Sequence, residues 1–176
     1  MTTANVLLKQ YKHADLADIK QTLLDVHADA YEARAAEPFV QRFPWFVNHW
    51  GSKEGFSCVV VYNANGQAIG FTYGAPAETG NEWWRECMDP PSETSTFSVS
   101  ELMLRVASRG RGLGQQLHEA LLGERNEALA QLTVDTKRPR LQALYESWGY
   151  KKVGVRQPFP DSPVYAVMVL NLKAGA

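Results

Sequence analysis

Cysteine is almost missing from this sequence: Cys58 and Cys87 are the only two in 176 residues. Two thiols do not make the disulfide framework that staples small secreted domains. Cys58 lies in an apolar run and reads as a small core residue, and Cys87 falls in a polar loop. Histidine is also sparse, and His13, His27, His49 and His118 are too scattered to join the cysteines in a zinc-ligand spacing, so no metal is expected. No apolar run approaches the roughly 20 residues that cross a bilayer. A basic-then-apolar signal segment is lacking as well, so a cytoplasmic protein without a membrane partner is the default expectation. Net charge is −1, so no global field draws in nucleic acid or an anionic surface. Repeats, low-complexity runs and linkers are absent, which leaves residues 1–176 as one expected domain.

What is present is an ordinary globular composition, 45% hydrophobic, with basic charge gathered around 105–111 and 137–140. The most informative stretch is 97–122. Phe97, Val99, Glu101, Met103 and Arg105 alternate with Ser98, Ser100, Leu102, Leu104 and Val106, the period of a strand. Gly110, Gly112 and Gly114 follow, where a sharp turn and close backbone approach are expected. Leu113, Leu117, Ala120 and Leu121 then recur at helical spacing. A strand, a glycine turn and a helix N-terminus together make an anion site, because the first helical amides lack partners and the dipole is positive there. Arg109 and Arg111 add charge, so a phosphate-bearing ligand is the natural occupant.

Two common phosphate loops do not fit. A Walker loop needs Lys-Ser or Lys-Thr after its glycines. A dinucleotide fingerprint needs its third glycine one residue later than Gly114.

The rest of the chain supplies the context. A short strand opens at Val6–Leu8. A helix is expected over 15–31, and a broken, aromatic-rich helix over about 39–51, interrupted by Pro38 and Pro44. Strands at 56–62 and 67–74 flank an Asn63–Gly66 turn and form a hairpin, unlike a Rossmann arrangement. Residues 76–95 are a long loop holding Trp83 and Trp84, either a local buried cluster or a substrate lid. A strand over 129–135 leads to a helix that starts at Pro139 and ends at Gly149, with Leu141, Leu144, Tyr145 and Trp148 on its apolar face. Thr136 is a candidate cap for that helix. Strands at 151–155 and 164–172 finish the chain.

The pattern Arg109-x-x-Gly112-x-Gly114 directly after Leu102-Met103-Leu104, the element order β, α, α, β, β, β, α, β, α, β, β, and the ending Leu144-Tyr145 to Gly149-Tyr150 resemble the GNAT superfamily of acetyl-CoA-dependent N-acetyltransferases over nearly the whole chain. Trp148–Gly154 and Phe159–Tyr165 resemble a bacterial branch thought to acetylate small molecules. The resemblance implies an α/β (α+β) domain with a mixed central sheet of about seven strands and about four helices. It implies acetyl-CoA as donor, with the pantetheine arm beside Leu102, Met103 and Leu104 and the diphosphate on Arg109, Gly110, Arg111, Gly112, Leu113 and Gly114. Tyr145 matches the tyrosine that protonates the leaving sulfur, a role suited to a phenol, which keeps its proton at neutral pH. Glu101 resembles the base position of some members and is either the base or a binder of a cationic acceptor. Arg138 departs from the pattern, standing where the family often has asparagine; it is either a contact to phosphate or acceptor or part of a solvated basic turn. Candidates for the acceptor side are Trp83, Trp84, Tyr73, Asp161 and Tyr165, since rings and carboxylates suit a cation. The expected acceptor is the primary amine of a small molecule. Acetylation of a protein lysine or N-terminus and a non-catalytic acyl-CoA-binding role are the alternatives, and a homodimer is among the open assembly states.

Overall fold

Apolar runs with β-branched residues form the strands here, and proline and glycine set the element ends. The computed structural model describes residues 5–173. Seven strands hydrogen-bond in the order β1-β2-β3-β4-β5-β7-β6. The β1–β2, β2–β3, β5–β7 and β6–β7 pairs are antiparallel, and β4–β5 is parallel. The expected mixed seven-stranded α/β architecture is therefore present. The described residues hold five α-helices rather than about four, because the second helix is split in two.

The described residues fall into two compact units, one of residues 5–75 with 100–125, the other of residues 76–99 with 126–173. In the first, β1 (Leu7–Lys12) is longer than its apolar opening suggests. Helix α1 (Leu16–Ala30) buries Ile19, Leu23 and Val26 at helical spacing. Next come α2 (Pro38–Gln41) and α3 (Phe43–Gly51). Pro44 explains the break between them: its ring and missing N–H would disrupt a helix continuing from Val40. Strand β2 (Ser57–Tyr62) and strand β3 (Ala68–Pro76) form the hairpin, with Gly66 at φ +77° in its turn. The last residues of β4 (Thr96–Leu104) and α4 (Leu113–Leu122) complete this unit.

Its core joins Ile19, Leu23, Val26, Phe43 and Val47 from the helices to Cys58, Val60, Phe71, Tyr73 and Met103 from the strands. Strand alternation puts Val59 and Val61 on the opposite face. Helix α4 lies along β2 and buries Leu113, Leu117 and Leu121.

The second unit holds the first residues of β4, then β5 (Leu129–Asp135), α5 (Pro139–Ser147), β6 (Lys151–Arg156) and β7 (Tyr165–Asn171). Gly149 ends α5 at φ +102°. Two expectations for α5 need correction. Leu144 is 45% exposed, since it lies at the edge of the stripe that Leu141, Tyr145 and Trp148 define. Thr136 does not cap the helix: its hydroxyl donates to the Val164 carbonyl at 2.8 Å. Arg138 occupies the cap position without a side-chain capping bond.

Candidate active site

The last residues of strand β4 belong to the first unit and end at a tightly tied turn. The Arg105 amide donates to the Ile69 carbonyl at 2.8 Å, and Arg105 Nε donates to the Ala68 carbonyl at 2.8 Å. Asp29, near the end of α1, accepts the Val106 amide at 2.9 Å and pairs with Arg105 at 3.5 Å. Arg109 Nη2 donates to the Ala30 carbonyl at 3.2 Å, so this guanidinium faces the negative end of α1 as well as solvent. Sequence reasoning missed Asp29. The signal was a carboxylate in the last turn of a helix, where the dipole disfavours it unless a cation or amide answers it.

Gly110 and Gly112 adopt φ +82° and +76°. A Cβ at either would meet nothing within 4 Å. The left-handed backbone, not crowding, is what calls for glycine, and the space beside the turn is open. Gly112 is the N-cap of α4, so no side chain caps that helix. The α4 amides and dipole are therefore directed to whatever anion comes there. Arg111 is exposed beside them.

Upstream on β4, Met103 is buried and Glu101, Leu102 and Leu104 are half-buried. Alternation puts Glu101 on the same face as Met103, the face of the Phe71–Tyr73 cluster. The Glu101 carbonyl accepts the Thr72 hydroxyl at 2.7 Å. Burial pushes the Glu101 carboxyl up to about 8, so at neutral pH it mostly holds its proton. Tyr73, expected on the acceptor side, has no exposed surface. The structure thus brings Glu101, Tyr73 and Leu102–Leu104 together on adjoining strands, with the glycine turn directly below them in the chain.

The other candidates belong to the second unit. Tyr145 is 6% exposed, and its ring stands edge-on to Trp148 at 5.1 Å and Tyr150 at 5.8 Å. Trp84 is fully buried and donates its indole N–H to Thr96 Oγ1 at 3.0 Å. It is a core residue there, with Leu129, Val167 and Val169, which corrects its reading as a residue facing the acceptor. Trp83 is half-buried beneath Arg156, 5.6 Å from the ring centroid, and its amide donates to Gln131 Oε1 at 2.8 Å. The Glu82 carboxylate accepts two bonds from Arg85, at 2.7 and 2.9 Å, and one from the Gly80 amide at 2.9 Å. The 76–95 loop is therefore built around its own packed cluster. Arg138 and Asp161 are exposed, and Tyr165 is half-buried in β7 opposite Asp135 and Arg156.

A family model described as the acetyltransferase (GNAT) domain matches residues 53–163. The chain belongs to the GNAT acetyltransferase family. Its activity class follows: an acetyltransferase that draws its acetyl group from acetyl-CoA. The open space at Gly110 and Gly112 and the uncapped start of α4 suit the diphosphate of that donor. Solved structures agree on the GNAT fold. A GNAT-family acetyltransferase from Staphylococcus aureus Mu50 aligns with TM-score 0.68 at 13% identity, covering 96% of this chain and 100% of that one. Arabidopsis thaliana NAA60 in complex with acetyl-CoA aligns at 0.65 and 14%, covering 96% and 99%. PaiA N-acetyltransferase from Thermoplasma acidophilum in complex with coenzyme A aligns at 0.60 and 14%, covering 95% and 99%. No curated protein matches the chain. Among the described residues, no helix of this GNAT protein is long and apolar enough to cross a membrane.

Proposed function

We propose that the whole chain, residues 1–176, is one N-acetyltransferase domain whose acceptor is the primary amine of a small molecule, attacked directly while donor and acceptor are bound together. The observation that carries this reading is Glu101. It is a carboxyl desolvated until its proton affinity sits near 8, on the strand that runs into the glycine turn. Such a group is well matched to an amine proton, because a base of higher proton affinity takes it more readily. The rings of Phe71 and Tyr73 share its face of the sheet but are enclosed, so the carboxylate, not these rings, is the group that would meet a cationic acceptor.

The donor supplies an already activated acetyl thioester. The amides from Gly110 to Gly114 hold its diphosphate, Arg111 screens the charge, and the backbone of Leu102–Leu104 aligns its arm. Arg138, exposed at the start of α5, adds a second cation. Alignment supplies much of the acceleration for such a reaction. Glu101 acts in its ionised form, after its resting proton has passed to solvent. As the N–C bond forms and the C–S bond breaks, that carboxylate takes the proton from nitrogen and the Tyr145 hydroxyl gives one to sulfur. Each proton is then returned through solvent.

Thiol release from acetyl-CoA, measured against a panel of small primary amines and a panel of lysine-bearing and free-N-terminal peptides, tests the proposal. Release with small amines supports it. Release with peptides alone overturns the small-molecule acceptor in favour of a protein substrate.

A further inference from the structure

Tyr73 presents a buried polar atom with no evident occupation. Its ring is enclosed, stacked on Phe71 at 5.8 Å and tilted against Phe56 at 5.5 Å, and the residue has no exposed surface. Its Oη has no hydrogen-bond partner among the described residues. Ser100 on β4 lies beside it without meeting it in hydrogen-bond geometry. Buried hydroxyls are nearly always paired, and an orphan calls for an explanation. A phenylalanine would fill this apolar stack without that penalty.

The neighbour that gives the hydroxyl a purpose is Glu101. The two residues stand on adjacent strands, and alternation puts both on the face that α1 and α3 cover. Burial first, and then the charge of Glu101, hold the Tyr73 phenol in its protonated form. A phenol that cannot ionise is a fixed donor. While Glu101 is neutral it has little need of that donor. Once Glu101 ionises, a donor within reach, directly or through one water, is what a desolvated carboxylate requires.

We infer that Tyr73 is a positioning residue for Glu101: its buried hydroxyl turns to the carboxylate when Glu101 loses its proton, and so sets the pH at which that loss occurs. The inference rests on the reading of Glu101 as the proton acceptor only for its catalytic consequence.

The other titratable groups on this face do not compete. Cys58 pairs with Tyr73 across β2–β3, and burial pushes its thiol up, which keeps it neutral. His27 on α1 stacks on Phe43 at 3.9 Å, and burial pulls its imidazole down to about 4. Tyr11 and Tyr62 bond to each other at 2.7 Å. On α3, His49 stacks on Trp45 at 5.0 Å.

The test is a carboxyl-carbon NMR titration of the full chain labelled at glutamate, with the Glu101 signal assigned by its loss in Glu101→Gln. Tyr73→Phe keeps the ring and removes only the orphan hydroxyl, so its fold should hold, and the dispersed spectrum verifies this. The Glu101 midpoint is expected to rise by about one pH unit, because a donor to the ionised form has been lost. The limb of the pH–rate profile that Glu101→Gln abolishes should rise with it, with the donor KM unchanged. A midpoint within about 0.3 units of wild type in folded Tyr73→Phe, well below the one-unit shift a lost donor implies, overturns the inference. The titration needs no substrate. It therefore decides the role of Tyr73 even where Glu101→Gln retains full turnover and so removes the catalytic reading of Glu101.

Discussion

Replacing Glu101 by glutamine should change how stability depends on pH, and the sign is fixed by the burial of the carboxyl. In the folded chain burial raises this group from the usual 4.5 to about 8. Between those values the folded state keeps a proton that the unfolded chain has released. Stability must therefore fall as pH rises through that window and level off above about 8. From 4.5 to 7 the full linkage would be about 3.4 kcal/mol, at about 1.4 kcal/mol per pH unit. Glu101 is only half-buried, and solvent screening reduces this to about 2 kcal/mol. Glutamine has the same shape and no proton to lose, so the loss should vanish. The assay is urea unfolding followed by tryptophan fluorescence, in steps from pH 5 to 8.5. His27 and His118 act in the opposite direction, because burial pulls both down to about 4, so they stabilise above their unfolded value near 6.5 and cost stability as pH falls below it. They are common to both proteins and cancel in the difference. Wild-type minus variant stability should drop by about 1.5 kcal/mol between pH 5 and 7 and further by pH 8. Parallel curves would refute the reasoning.

The remaining expectations concern other parts of the site. Tyr145→Phe should lower kcat by about 10- to 100-fold, as loss of an acid catalyst does, while isothermal titration finds acetyl-CoA affinity within about twofold; equal losses in both would make Tyr145 a packing residue. Gly112→Ala places a Cβ in open space but at φ +76°, so it should cost about 1–2 kcal/mol in thermal unfolding and weaken donor binding measured at equilibrium. Gly70→Ala acts by crowding instead. Its Cβ would stand 2.9 Å from the Met103 carbonyl and against the Leu104 side chain. We expect a loss of about 1–3 kcal/mol by chemical unfolding, with a further fall in turnover if β4 shifts at the residues proposed to align the donor.

Much of this arrangement was legible because local chemistry and tertiary structure agree. Pro139 opens α5, Gly149 ends it, and β5 runs from Leu129 to Asp135 as expected. The glycine turn was legible for the same reason: positive φ, helix start and strand end all leave marks within a few residues. The misreadings arose where the answer depends on what the rest of the chain brings up. Trp83 and Trp84 look alike in sequence, yet Thr96 accepts the Trp84 indole and Leu129, Val167 and Val169 enclose it. Thr136 is spaced to cap a helix, but the Val164 carbonyl competes for its hydroxyl. The placement of Tyr73 and Glu101 on one face was invisible for a related reason, because only the sheet brings residues 28 apart onto adjacent strands.

Glu101 ties stability to chemistry. A carboxyl on an apolar face lowers stability wherever it must ionise, and a leucine there would pack without that penalty. Its physical effect is to create a group that is neutral when the site is empty at neutral pH and strongly basic once its proton has left. That is an advantage only for a reaction in which a proton has to be removed from a group of similar affinity, and a protonated amine is such a group. On the inference above, the buried phenol of Tyr73 would cost stability while Glu101 is neutral and return it when Glu101 is charged. On the proposed reading, two adjacent groups that are each unfavourable alone at rest become mutually favourable after one proton moves, and a shift of the Glu101 midpoint in Tyr73→Phe is the measurement that separates this from packing.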